Sequence, residues 1–146
     1  MKPADIVAIA RETLGTPYQH QQRIAGLALD CAGVPVHVAK RLGMSFEDVV
    51  GYGRLPVPEE MKRALDNSLV RVPKPQMQPG DVAWLRFQAE PQHFGILGDY
   101  PYGGLSLIHA YNGVGHDKVG EHRLDATWLA RVVGVWRFPQ VMEGGA

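Results

Sequence analysis

The sequence predicts an α+β domain in which helices from the first half pack on one face of an antiparallel sheet of about five strands. Three observations carry this. Apolar residues recur at helical spacing as far as about residue 70. After the proline-rich "VPKPQMQPGD" they alternate with period two. Turn signals, "PYGG" and "NGVGHD", divide the alternating runs, as suits an antiparallel meander. Helices gathered first and strands afterwards is the pattern of an α+β fold. With 146 residues, no internal repeat and no low-complexity segment, residues 1–146 read as a single domain.

The elements follow in order. "PADIVAIARETLG" has Pro3 at a first helical turn and Gly15 as a stop, with Ile6, Ile9, Ala10 and Thr13 on one face. A second helix is expected from about Cys31 to Leu42, ended by Gly43, with Val34, His37, Val38, Arg41 and Leu42 at helical spacing. Pro35 predicts an irregular start to it, because a proline beyond the first turn removes a backbone bond and crowds the preceding carbonyl. "PEEMKRALDNSL" opens with Pro58 and two glutamates, which the helix dipole favours. The predicted strands are "DVAWLRF", "HFGILG", "LSLIHAY" and "RVVGVWRF".

Composition excludes several classes of function. Lysine plus arginine and aspartate plus glutamate number 15 each, with no basic stripe for nucleic acid. No apolar run reaches the length of a membrane span. Asp5, Arg11 and Glu12 interrupt the apolar positions of the N-terminal segment, unlike a signal peptide. Cytoplasmic synthesis is therefore expected, with delivery by another agent if the protein acts outside. A single cysteine makes neither an intramolecular disulfide nor a cysteine zinc site.

That cysteine, Cys31 in "LDCAG", is a buried apolar residue or a nucleophile. At the start of the second helix its thiol would meet the dipole's positive end and unpaired N–H groups, which lower its pKa. Gly33 would keep the turn open to substrate. A thiol nucleophile also needs a base, and two of the six histidines, His93 and His109, fall in predicted strands. On neighbouring strands their rings can meet on one face, and a helix N-terminus docked over that face would bring Cys31 to them. His93 would then act as base and His109 would orient it.

"GTPYQHQ", "LDCAG", "MQPGDVAWLRF", "QHFGILG", "LIHAYN" and "VGVWRFP", in that order from about Asp5 to Pro139, resemble the landmarks of the NlpC family of cell-wall cysteine peptidases, most nearly its branch in phage tails and gene transfer agents. The resemblance implies a compact papain-like fold and a Cys31–His93–His109 triad. It implies that Tyr18 lines the site and helps bind the oxyanion. The implied substrate is a peptidoglycan stem peptide, cut at the amide between D-glutamate and a diamino acid, with no cofactor. Carriage by a tail particle would bring the enzyme to the wall. "QHQQ" stands where many members have Gly-Gly, as in the tail-associated branch, and Ala32 replaces the more usual serine.

The other polar residues have plainer readings. His20 reads equally as groove lining or loop cap. Asp30 orients local N–H groups or caps the helix. His37 reads as structural, His116 and His122 as solvated, and Trp84 as core packing. A zinc site from two histidines and the cysteine finds no short-spaced ligand pair in support. Two other functions stay open: a tail-tip assembly module with a vestigial site, and an amidase or acyltransferase on another substrate.

Overall fold

A computed structural model of the chain describes residues 1–17, 23–24, 28–29, 33–44, 58–86, 93–113 and 116–143. The helical half contains α1 (Pro3–Arg11), a two-residue hairpin of β1 (Arg23–Ile24) and β2 (Ala28–Leu29), α2 (Gly33–Arg41) and α3 (Pro58–Ser68). The rest contains β3 (Val70–Arg71), a 3-10 turn (Lys74–Gln76), β4 (Val82–Leu85), β5 (His93–Asp99), β6 (Leu105–Gly113), β7 (His116–Arg123), α4 (Ala126–Arg131), β8 (Val132–Arg137) and α5 (Pro139–Glu143).

Six strands form the main sheet, in the order β3-β8-β4-β5-β6-β7 with every pairing antiparallel. β4 to β7 form the expected meander. β8 returns to pair with the free side of β4, and the short β3 extends that edge. The four runs quoted from the sequence are β4, β5, β6 and β8, and they omit β3 and β7. β3 is only two residues long. β7, "HDKVGEHR", is polar along most of its length because it is the last strand of the sheet, met on its outer side by the short stretch Gly15–Pro17. By sequence its first residues read as a turn; the structure pairs His116 with Gly113 and continues the ladder to Arg123.

Strand alternation sends side chains to two different layers. Val82 and Trp84 of β4, Phe94 and Ile96 of β5, Ile108 and Ala110 of β6 and Val119 of β7 join one core with Ile6, Val7 and Ala10 of α1, Val34, Val38 and Ala39 of α2, and Leu65 of α3. Trp84 stacks on Phe94 there, the packing role expected of it. The opposite face holds a smaller cluster of Ala83, Leu85, Leu97, Leu107, Val132 and Val135, with Trp128 of α4 packed against it. The three N-terminal helices thus cover one face, as expected, and α4 covers part of the other.

Helix boundaries follow local chemistry. α1 ends at Arg11, and Gly15 takes a φ of 84°, beyond the helix. α2 runs from Gly33, so Pro35 sits in its first turn, where its missing N–H is no loss. The irregular start expected from Pro35 is absent from Gly33 onward; Cys31 lies outside the described residues. Gly43, at φ 70°, follows the end of α2 as expected.

Polar contacts tie the layers together. Arg11 of α1 donates to both carboxylate oxygens of Glu121 on β7, at 2.9 and 2.8 Å, and Ser106 of β6 donates to the same carboxylate at 2.6 Å. Arg137, ending β8, donates to both oxygens of the buried Asp81 before β4, at 2.8 and 3.0 Å. Trp136 donates its indole N–H to Asp66 of α3 at 2.9 Å.

Candidate active site

His93 opens β5 opposite Leu85 of β4. His109 lies on β6 opposite Gly120 of β7. His122 lies further along β7 opposite Leu107. Leu85 and Leu107 both belong to the smaller core, so the register puts these histidines on the face away from α1 and α2.

Gly95 makes room for this arrangement, while Gly120 faces open space. A Cβ built on Gly95 would stand 2.9 Å from the Ile108 carbonyl oxygen and 3.1 Å from the His109 Cβ. Gly120, on the other side of His109, has no heavy atom near its missing Cβ. His109 is therefore flanked by a side-chain-free position on each neighbouring strand. His93 stands two residues before the first glycine and His122 two residues after the second, so both rings reach His109 diagonally across the sheet.

The three rings meet edge to face. His93 and His109 have centroids 4.7 Å apart at 85°, with Nε2 of His93 hydrogen-bonded to Nδ1 of His109. His109 and His122 have centroids 4.9 Å apart at 74°, with their Nε2 atoms 2.8 Å apart. His122 closes the series by donating from Nδ1 to the Arg123 carbonyl at 2.9 Å. Trp128 packs over this end, its ring 5.1 Å from His109 and 4.5 Å from His122. α4 can hold Trp128 there because Asp125 caps the helix, accepting from the Trp128 backbone N–H at 3.0 Å.

His93 and His109 are each 2% exposed. Burial, with the nearby His122 as a second cause, lowers the His93 pKa to about 4. Burial likewise holds His109 well below the ordinary histidine value, with His93 and His122 adding to it. Both rings are therefore neutral at pH 7, each with one N–H and one lone pair. Such a pair can accept a proton from an acid beside it and hold the imidazolium by hydrogen bonding. The rings bond head to tail, so their lone pairs do not converge; among the described residues no group of histidines, cysteines or carboxylates is placed to hold a metal ion.

Of the residues singled out from the sequence, the structure brings His93 and His109 together as expected. Cys31, Tyr18, His20 and Asp30 lie outside the described residues. Gly33, two positions after Cys31, opens α2, and α2 lies against β5 and β6. The body of α2 packs through Val34, Val38 and Ala39 on the Phe94 and Ile108 face, and the turn bearing Cys31, expected to dock over the histidines, lies outside the described residues. Parity sets the face that the body of α2 covers: Phe94 and Ile96 are the large apolar residues of β5, and they alternate with His93. His37 is structural as read, pairing with Glu12 of α1 at 3.0 Å.

His122 is a correction. It is half-buried and forms the third ring of the series that begins with the buried His93 and His109. Sequence reasoning missed it because β7 lacks an apolar alternation. The available signal was the helix start at Asp125, which sets Trp128 close after the strand. No helix among the described residues is long and apolar enough to cross a membrane.

Solved structures with the same architecture are NlpC/p60 domains. The NlpC/p60 domain of the peptidoglycan hydrolase SagA superposes with a TM-score of 0.62 at 24% identity, covering 94% of this chain and 100% of that one. An NlpC/P60 family protein from Bacillus cereus gives 0.65 at 18% identity over 94% of this chain and 40% of its own. NlpC1 from Trichomonas vaginalis gives 0.63 at 15% identity over 93% of this chain and 44% of its own. The chain spans less than half of the latter two proteins. No protein-family model matches the chain. No curated protein matches it either. The chain therefore has the NlpC/p60 fold, the α+β architecture expected from its motifs.

Proposed function

We propose that the chain is a cysteine peptidase that hydrolyses peptidoglycan stem peptides, with Cys31 as nucleophile, His93 as base and His109 as its orienting partner. The observation that supports this best is the buried, hydrogen-bonded pair of neutral imidazoles on adjacent strands. A histidine held this way in one tautomer is what a thiol nucleophile requires of its base. The fold is shared with a domain of a peptidoglycan hydrolase, which favours this substrate class.

In this reading His93 takes the Cys31 thiol proton and the thiolate attacks the amide carbonyl. The Cys31 backbone N–H and the Tyr18 hydroxyl stabilise the oxyanion. Collapse breaks the C–N bond, and the imidazolium of His93 gives its proton to the departing amine. Water, deprotonated by His93, then hydrolyses the thioester. The thiolate's negative charge favours the imidazolium, opposing the effect of burial on His93. Asp30 orients backbone N–H groups of the cysteine turn, and His20 lines the substrate groove. The bond cut is the amide between D-glutamate and a diamino acid, and a phage-tail or related particle carries the enzyme to the wall; both details rest on the resemblance in the sequence.

Digestion of purified sacculi, with mass analysis of the released peptides, tests the reaction. Soluble stem peptides should appear with the wild type and not with Cys31→Ala. Equal release by the variant rejects the mechanism. Rapid alkylation by iodoacetamide at pH 6–7 is expected of an activated thiol; slow alkylation, as for a thiol of pKa about 8.5, would instead indicate a vestigial site. A reactive thiol that releases nothing from sacculi points to another acyl or amide substrate.

A further inference from the structure

We infer that His122 is a positioning residue that sets, through His109, which nitrogen of His93 carries the proton. This deepens the peptidase reading and rests on it for the catalytic role, but the hydrogen-bond chain itself stands on the geometry alone.

The chain can be followed from its far end. A backbone carbonyl has no proton to give, so His122 Nδ1, 2.9 Å from the Arg123 oxygen, must carry one. In a neutral ring Nε2 is then the lone pair. It lies 2.8 Å from Nε2 of His109, so that nitrogen is the donor. His109 Nδ1 in turn becomes an acceptor, and the bond it makes with His93 requires N–H at Nε2 of His93. Nδ1 of His93 is left as the basic nitrogen. One carbonyl thus determines three tautomers in series.

The alternative arrangement shows why the far end matters. With no acceptor at position 122, His109 is equally satisfied as the Nδ1–H tautomer, donating to Nε2 of His93. His93 would then carry its proton on Nδ1 and could not take another there. His109 by itself tolerates both directions, and His122, whose donor and acceptor nitrogens are fixed by the Arg123 carbonyl, favours one of them. Trp128 reinforces the choice by packing against both rings and limiting their rotation. Gly95 provides room beside His109 that a Cβ would fill.

The test uses the full chain and two variants. His122→Leu removes the acceptor. His122→Gln restores one, because its amide oxygen can reach the His109 N–H. Ring nitrogen-15 NMR of histidine-labelled protein at pH 7.5 reads the tautomers directly. The wild type should show His122 as Nδ1–H, and His109 and His93 as Nε2–H. His122→Leu should give mixed tautomers at His93 and His109, and His122→Gln should return the wild-type pattern. Thiol alkylation at pH 7 should fall tenfold or more in His122→Leu and recover in His122→Gln. The loss should stay below the roughly 10⁴-fold seen where a wrong tautomer is enforced.

A His93 tautomer unchanged in folded His122→Leu, or His122 found as Nε2–H in the wild type, overturns the inference. So does an alkylation rate equally low in the Leu and Gln variants, the result of a merely structural role. An unreactive Cys31 in the wild type defeats the peptidase reading alone, because the NMR tautomers remain a separate measurement.

Discussion

Acid should destabilise this protein earlier than its carboxylates would, through His93. The ring is buried and its pKa falls from 6.5 to about 4 on folding. Between those values the unfolded chain binds a proton that the native state does not, so stability rises with pH and is lost as pH falls through the window. Each pH unit crossed inside the window costs roughly 1.36 kcal/mol, so complete passage below it costs about 3 kcal/mol. Between pH 7 and pH 5 the same relation gives a loss of about 2 kcal/mol from His93. His109, whose pKa is lowered in the same direction, adds to it.

Urea unfolding followed by tryptophan fluorescence at pH 7, 6 and 5 measures this, since Trp84 and Trp136 are both buried. His93→Gln supplies the control. Glutamine does not titrate, and its amide can donate to Nδ1 of His109 in place of Nε2–H. The decline between pH 7 and 5 should be about 2 kcal/mol smaller in this variant than in the wild type. Contributions from groups that do not touch His93 are common to both proteins and cancel, and relief of His109 from its charged neighbour acts in the same direction as the loss of His93. An identical decline in the two would refute the reasoning, because the ring would then titrate alike in the folded and unfolded chains.

Two further outcomes follow from the packing. Gly95→Ala should destabilise by about 1–3 kcal/mol, since its Cβ meets the Ile108 carbonyl and the base of His109; an unchanged urea midpoint would mean that β5 and β6 separate freely. Arg137→Met should cost about 3–5 kcal/mol by leaving the carboxylate of Asp81 buried without its cation, and Asp81→Asn in the same chain should recover part of it. Equal stability of the single and double variants would show that the pair is not coupled.

The helices were legible where composition acts locally. Pro58 marks the start of α3, Gly43 follows the end of α2, and the apolar spacing of Ile6 and Ala10 identifies the buried face of α1. The strands bearing His93 and His109 were legible for the same reason, because each is apolar on the face opposite its histidine. β7 was not. An edge strand takes its identity from a partner's unpaired N–H and C=O groups, and these come from β6 across the sheet. The role of His122 was hidden with it, since a histidine in polar sequence looks solvated until a neighbouring strand brings another ring against it.

By itself, then, the sequence determined the fold class, the break between helical and strand halves, and the two strand histidines, because propensity, period and turn chemistry are properties of neighbours along the chain. Tertiary structure decided the six-stranded order, the face on which the imidazoles meet and the third ring that joins them. Those depend on register, and register depends on which backbone groups and side chains are brought together from distant positions.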